Sequence, residues 1–351
     1  MQLNKARAKD SDRNSARRSE NGSAKRSERR AVNGVILIDK PIGMSSHFAL
    51  QRVKWLLKAD KAGHAGTLDP FATGALPVAL GEATKTCTFM LTARKAYRAT
   101  ALLGQQSDTA DLTGQIIAHS NVPALDAAKI AAVLDSFHGK QMQQPPRYCA
   151  LKKDGVPMYQ LAREGVEFET QAREIEVHSI KLLSYQDNRL EFETECGKGT
   201  YIRSLVESIG GALGTLAHAV ALHRDWVDPF KGVPLISLDA LENMDLDARW
   251  SQLLPIDAGI TAMPEIMLET PEAKRFLQGQ RLPLRKSPGF YRVKHGADSL
   301  TRILGIAQSD AEGVLQIQRL LCDPSLAHRL GEALPVLAQI DAHTQLASTT
   351  P

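Results

Sequence analysis

The sequence has only scattered cysteines, no apolar run long enough to cross a bilayer, and no paired metal-ligand spacing. Each absence excludes a class. Cys87, Cys149, Cys196 and Cys322 lie far apart, whereas disulfide frameworks and zinc sites present ligands at short spacings such as Cys-x-x-Cys. No stretch of about 18 apolar residues is available to span a membrane. The Arg- and Ser-rich start is followed by no hydrophobic segment of the kind a signal peptide needs. The chain therefore reads as cytoplasmic, reduced and free of metal.

What is present is an ordinary globular composition. The 351 residues are 43% hydrophobic and 23% charged, which suits about two compact domains. Net charge is +4, but residues 1–30 alone hold ten Lys/Arg against four acids, so the rest is slightly acidic. That tail has almost nothing to bury and reads as disordered, either simply solvated or acting as an electrostatic arm for a polyanion. Ordered structure is expected from the β-branched run Val35-Ile36-Leu37-Ile38. Ser45-Ser46 then caps a helix with Leu50, Val53, Leu56 and Leu57 at three- and four-residue steps. Strands are expected over residues 75–80, 97–103, 174–185, 190–196 and 218–225, and helices over 125–137 and 201–213. Residues 229–262 read as partly helical and linker-like. A small β-rich unit follows, with a hairpin whose turn ends at Gly313. Strands and helices without strict alternation predict an α+β class, with a first domain over 31–262 and a second over 263–345.

Residues 63–74, Gly-His-Ala-Gly-Thr-Leu-Asp-Pro-Phe-Ala-Thr-Gly, are the most unusual segment. Three glycines permit close backbone approach, and Pro70 forces Asp69 toward an extended conformation. Asp69 is thus a carboxylate on a constrained loop beside apolar Leu68 and Phe71. Taken alone, an Asp-Pro of this kind reads as a turn Asp capping the neighbouring backbone.

The run from Gly63 through Leu80 to Lys85 closely resembles the catalytic motif of the TruB family of tRNA pseudouridine synthases. Four further segments resemble family elements in the same order: Lys40-Pro41-Ile42-Gly43-Met44-Ser45, Lys95-Ala96-Tyr97, Pro145-Pro146-Arg147-Tyr148-Cys149-Ala150-Leu151-Lys152, and Gly199-Thr200-Tyr201-Ile202-Arg203. The resemblance covers roughly residues 34–230, and residues 264–322 look like the family's C-terminal RNA-binding domain of the PUA type.

The resemblance implies a mixed, largely antiparallel sheet flanked by helices. It implies conversion of uridine to pseudouridine at position 55 in the T loop of tRNA, by a monomer with no cofactor, metal or obligate protein partner. Asp69 would be the catalytic carboxylate, as a nucleophile at C1′ or a base at the 2′ carbon. Arg203 would pair with it, and its removal would cost activity far more than stability. Tyr97 would stack on the target base and Tyr201 would wall the pocket. His64 would fill the space left by the extruded base. Lys40, Lys85, Lys152 and Lys198 would contact phosphates. Cys149 replaces the family's usual Ser, and Asp225 and Asp228 replace its Thr and Gly, which puts the local turn there in question.

Two other readings stay in view. One is a relative of the same superfamily that needs a guide RNA. The other is a noncatalytic RNA-binding module, since Gly63-His64-Ala65-Gly66 fits the GxxG pattern of KH domains. A nucleotide-binding loop at Gly197-Lys198-Gly199-Thr200 is rejected, because the upstream glycine its pattern requires is absent.

Overall fold

The computed structural model describes residues 29–149, 151–296 and 301–322. The basic tail, apart from Arg29 and Arg30, and residues 323–345 of the expected second domain lie outside the described residues.

Nine strands of the described chain form one sheet: β1 (Gly34–Lys40), β2 (Ala62–His64), β3 (Thr73–Leu80), β4 (Lys95–Leu103), β5 (Gly139–Gln143), β6 (Arg173–Gln186), β7 (Arg189–Cys196), β8 (Ala217–Val227) and β9 (Ile236–Ser237). Their order is β9-β1-β3-β8-β4-β7-β6-β5, with β2 added to β3. Only β9 with β1 and β3 with β8 run parallel. The sheet is therefore mixed and largely antiparallel.

Sequence pattern explains which faces are covered. Along β7, Leu190, Phe192, Thr194 and Cys196 turn inward while Glu191, Glu193 and Glu195 turn outward, the two-residue period of a half-buried strand. Their apolar face packs on helices α2 (Ala127–Asp135) and α3 (Ile202–Ala212) in the largest core. Strand β1 is apolar on both faces because both are covered. Ile36 and Ile38 meet one cluster, and Val35 and Leu37 meet another with Phe230.

Helix α1 (Ser46–Leu56) begins where Ser45 Oγ accepts the Phe48 N–H at 3.1 Å, and it buries Ala49, Leu50, Val53 and Leu56. Residues 229–262 correct the linker expectation. They supply β9 and two short helices, Leu238–Glu242 and Leu246–Ser251, whose Leu238, Leu241 and Trp250 complete the core that includes the buried face of α1. These elements are too short to show a period.

One edge of β3 is divided, and the division positions the site. Its first residues pair with β8 (Thr73 with His223, Gly74 with Arg224), and its last three pair with β2. Between them the edge opens at Ala75–Pro77, and the loop 65–72 joins β2 to β3 there. Pro77 suits the gap because it has no N–H to leave unpaired. Its carbonyl accepts the Ala65 N–H at 3.1 Å. Gly74 has φ +98°, and a Cβ would stand 2.3 Å from the Arg224 carbonyl, so only glycine fits that crossing.

The C-terminal unit contains β10 (Glu265–Leu268), helix α4 (Thr270–Leu277), β11 (Leu282–Pro283), β12 (Gly289–His295), β13 (Arg302–Ser309) and β14 (Val314–Leu320), ordered β10-β12-β13-β14-β11. The β13–β14 hairpin is the expected one, and Asp310 closes its turn by accepting the Val314 N–H. This unit packs directly on the first domain. Ile260 joins Ile306 and Leu321 in one cluster, and Phe89 meets Phe290 edge-on at 5.7 Å.

Candidate active site

The loop that carries Asp69 is clamped on both sides of the carboxylate. Before it, Ser46 Oγ accepts the Leu68 N–H at 2.7 Å and donates to the Leu68 carbonyl at 3.0 Å. After it, the Pro70 carbonyl accepts the Gly43 N–H at 2.7 Å, and the Lys40 ammonium lies 3.5 Å from the same oxygen. Lys40 also donates to the carbonyls of Met44 (2.7 Å) and Pro41 (2.9 Å). The Lys40-Pro-x-Gly segment and the Asp69 loop thus brace each other.

Asp69 meets Arg203, from the first turn of α3. Arg203 Nε lies 2.9 Å from Asp69 Oδ2, and Nη2 donates to Oδ1 at 3.3 Å. Nε is not aligned as a hydrogen bond, so the contact is chiefly ionic. The guanidinium is also held by the carbonyls of Thr109 and Tyr148, each at 2.8 Å, and lies 3.4 Å from Asp111 Oδ2. Asp111 is fixed in turn by Thr109 and by the N–H and hydroxyl of Thr113. Arg203 is 3% exposed, whereas the Asp69 side chain keeps 34% of its surface open toward solvent. One cation therefore serves two carboxylates, and only Asp69 remains reachable. Burial raises the Asp69 pKa above the ordinary 3.8, the Arg203 charge opposes that rise, and Asp111 adds to it.

Tyr97 is buried on the same side, directly across the ladder from Arg224, and near enough to Asp69 to feel its charge. Tyr201 occupies the position before α3, with the Arg173 guanidinium 5.0 Å from its ring centroid. Cys149 packs its thiol 3.7 Å from the Met158 sulfur and contacts Tyr201. The insertion at 144–172 thus reaches the site at two points, through Tyr148 on Arg203 and Cys149 on Tyr201. His64 ends β2, and burial lowers its pKa, with Arg224 the next contributor. Among the described residues its Nδ1 has no hydrogen-bond partner.

The lysines divide. Lys152 and Lys198 are exposed and free to meet an anion. Lys40 is wholly buried with its ammonium committed to carbonyls, which corrects the phosphate-contact expectation. Lys85 pairs with Glu82 and donates to the Leu320 carbonyl at 2.8 Å, so it ties the two domains together and is no phosphate ligand either. The expectation for Arg203 also changes. Its removal would strand Asp111 in the interior, so stability falls along with activity. Asp225 and Asp228 do not break the strand: they pair with Arg98 (2.9 Å) and Arg94 (3.1 Å), and β8 runs on to Val227. The KH reading fails because Ala62–His64 is a strand, with no helix on either side of the glycines.

Asp111 and Arg224 were not singled out by sequence. Asp111 sits in a polar turn with no periodic signal. Arg224 did carry one, since a strand that puts Leu222 and Arg224 on a single buried face places a charge in the core.

Comparison with known proteins agrees with this geometry. Residues 54–202 match the family described as TruB family pseudouridylate synthase (N terminal domain), and residues 264–321 match Pseudouridine synthase II TruB, C-terminal. A solved Cbf5-Nop10-Gar1 complex aligns with a TM-score of 0.66 and 23% identity, covering 85% of this chain and 87% of that one, a likeness of fold. Fold and site define an enzyme of the pseudouridine synthase class. Proteins named tRNA pseudouridine synthase B are similar in sequence. That of Chromohalobacter salexigens is 47% identical over 71% of this chain and 81% of its own length. That of Xanthomonas campestris pv. campestris is 45% identical over 83% and 94%. The chain belongs to the TruB family.

Proposed function

We propose that this enzyme isomerises uridine 55 in the T loop of tRNA to pseudouridine, acting as a monomer without guide RNA. The reaction breaks the N1–C1′ bond, turns the uracil and joins C5 to C1′. C5 gives up its proton and N1 gains one, so no atom is exchanged. The observation that carries the reading is the Asp69–Arg203 pair on a loop clamped at Leu68 and Pro70. A carboxylate that attacks C1′ or takes the 2′ proton must be ionised. Burial works against that, and the fixed guanidinium opposes the effect of burial by favouring the charged form.

The other roles follow from position. The Tyr97 ring faces the extruded base, Tyr201 forms a wall, and His64 stands ready to occupy the vacated stack. Lys152 and Lys198 meet phosphates from the exposed rim. The two halves of the chain present one continuous body to the RNA.

The test is incubation of the purified protein with a transcribed tRNA, without guide RNA, followed by mapping of pseudouridine. Modification confined to the T-loop uridine is the expected result, and Asp69→Asn abolishes it while leaving the protein folded. No product from the wild type, or product from Asp69→Asn, would overturn the reading.

A further inference from the structure

Arg224 is the largest of the wholly buried side chains, 1% exposed. It lies on β8 between Tyr97 of β4 and Gly74 of β3. Its Nε donates to the Ala75 carbonyl at 2.7 Å, which fills the open edge of β3. Its Nη2 donates to the Gly66 carbonyl of the catalytic loop at 3.1 Å. Tyr97 is its partner directly across the β4–β8 ladder, so the two side chains leave the sheet on the same face. Gly66 has φ +89°, and an added Cβ would press on Arg224 Nη1 at 3.3 Å, so loop and guanidinium are fitted to each other.

As a purely structural device this side chain is a poor choice. A buried guanidinium ordinarily has a carboxylate, and Arg203 has two. Among the described residues Arg224 makes no ion pair. Its neighbours are Lys40 and Lys95, both buried, and His64, and its charge acts against protonation of all three. An apolar side chain of similar volume would avoid both the repulsion and the desolvation. What it would lose is a rigid planar fork, able to bind several acceptors at fixed angles.

We propose that Arg224 is a positioning residue of the uridine site: its fork fastens Gly66 of the Asp69 loop to the strand that pairs with Tyr97, so that carboxylate and aromatic ring keep a fixed mutual geometry when the nucleoside enters. The inference rests on the pseudouridine synthase reading and adds a residue through which Asp69 and Tyr97 are aligned.

The test compares wild type, Arg224→Met and Arg224→Lys in steady-state assays on a tRNA transcript, with thermal melts of each. Because misplacement of reacting groups by about 1 Å costs on the order of 100-fold, kcat of Arg224→Met should fall about that far. Its KM for tRNA should stay within about threefold, and the variant should remain folded, with any change in Tm set by the lost repulsion against the two carbonyls left without a donor. Arg224→Lys keeps the charge but not the fork, so its kcat should fall at least about tenfold. If Arg224→Met fails to fold and Arg224→Lys folds, the same split between kcat and KM in the lysine variant supports the proposal. Several results would overturn it: either folded variant with near wild-type kcat, a loss confined to KM, or failure of both to fold. A wild type that makes no pseudouridine overturns the functional reading and this inference with it, whereas an active wild type beside an unimpaired Arg224 variant overturns this inference alone.

Discussion

Lys40 shows how one residue can look like a ligand and act as a brace. Burial pushes its ammonium down from the ordinary 10.5 to about 8, and the Asp69 charge only partly resists. The folded state therefore holds fewer protons than the unfolded state between about pH 8 and 10.5. The burden of burying the charge is complete below about pH 8 and fades as pH rises through that window. Urea unfolding of wild type and Lys40→Met at pH 7 and pH 10 should show wild type gaining on the variant by about 3 kcal/mol across the interval. Parallel pH dependence in the two proteins would contradict the assignment. Sequence could not reveal this, because a lysine before Pro41 looks the same whether it faces water or carbonyl oxygens. The roles proposed for Asp69 and Arg203 were legible only through the resemblance. Their geometry depends on a helix more than 130 positions away along the chain.

At the scale of elements, what local chemistry dictates was readable and what long-range pairing dictates was not. The Ser45 cap, the apolar spacing of α1, the alternation of β7 and the Gly313 turn are encoded within a few residues each. The division of the β3 edge between β2 and β8 is not, since it joins segments about 150 residues apart. The short helices within 229–262 were legible only as a partly helical stretch without bounds, because five or six residues cannot display a period. Ser46 tests the coupling between a helix start and the Asp69 loop. It is buried, and its hydroxyl both accepts from and donates to Leu68, one residue before Asp69. Ser46→Ala leaves two buried backbone groups without that partner and should lower stability by about 1–3 kcal/mol. The larger effect should fall on kcat, because the loop loses its upstream clamp while the Arg203 contact persists. Chemical denaturation and single-turnover assays check both parts, and an alanine variant with unchanged kcat would detach the clamp from catalysis.

The whole molecule is joined by a polar network as well as by apolar contact. Asp257, in the segment leading out of the first domain, lies 2.9 Å from Arg292 Nη1 and 3.2 Å from Lys294 Nζ, both on β12. Glu265 forms ion pairs with the same two cations, at 3.4 Å and 3.0 Å. Around it stand the Ile260–Ile306–Leu321 cluster, the Phe89–Phe290 contact and the Lys85 bond to Leu320. Such an interface, with buried charges and a shared core, should make the two domains unfold together. Asp257→Ala removes one of the two anions and leaves Arg292 and Lys294 sharing Glu265. Losing one anion from a largely buried cluster that keeps the other should cost about 1–3 kcal/mol, because the two cations are left under-compensated. Calorimetry should therefore show one transition for wild type and two for Asp257→Ala, with the smaller C-terminal unit melting first. The variant should keep its kcat on tRNA, since no group near Asp69 is touched, while its KM rises as the C-terminal unit loses its fixed orientation. A single transition at the wild-type temperature would mean that apolar packing alone couples the domains.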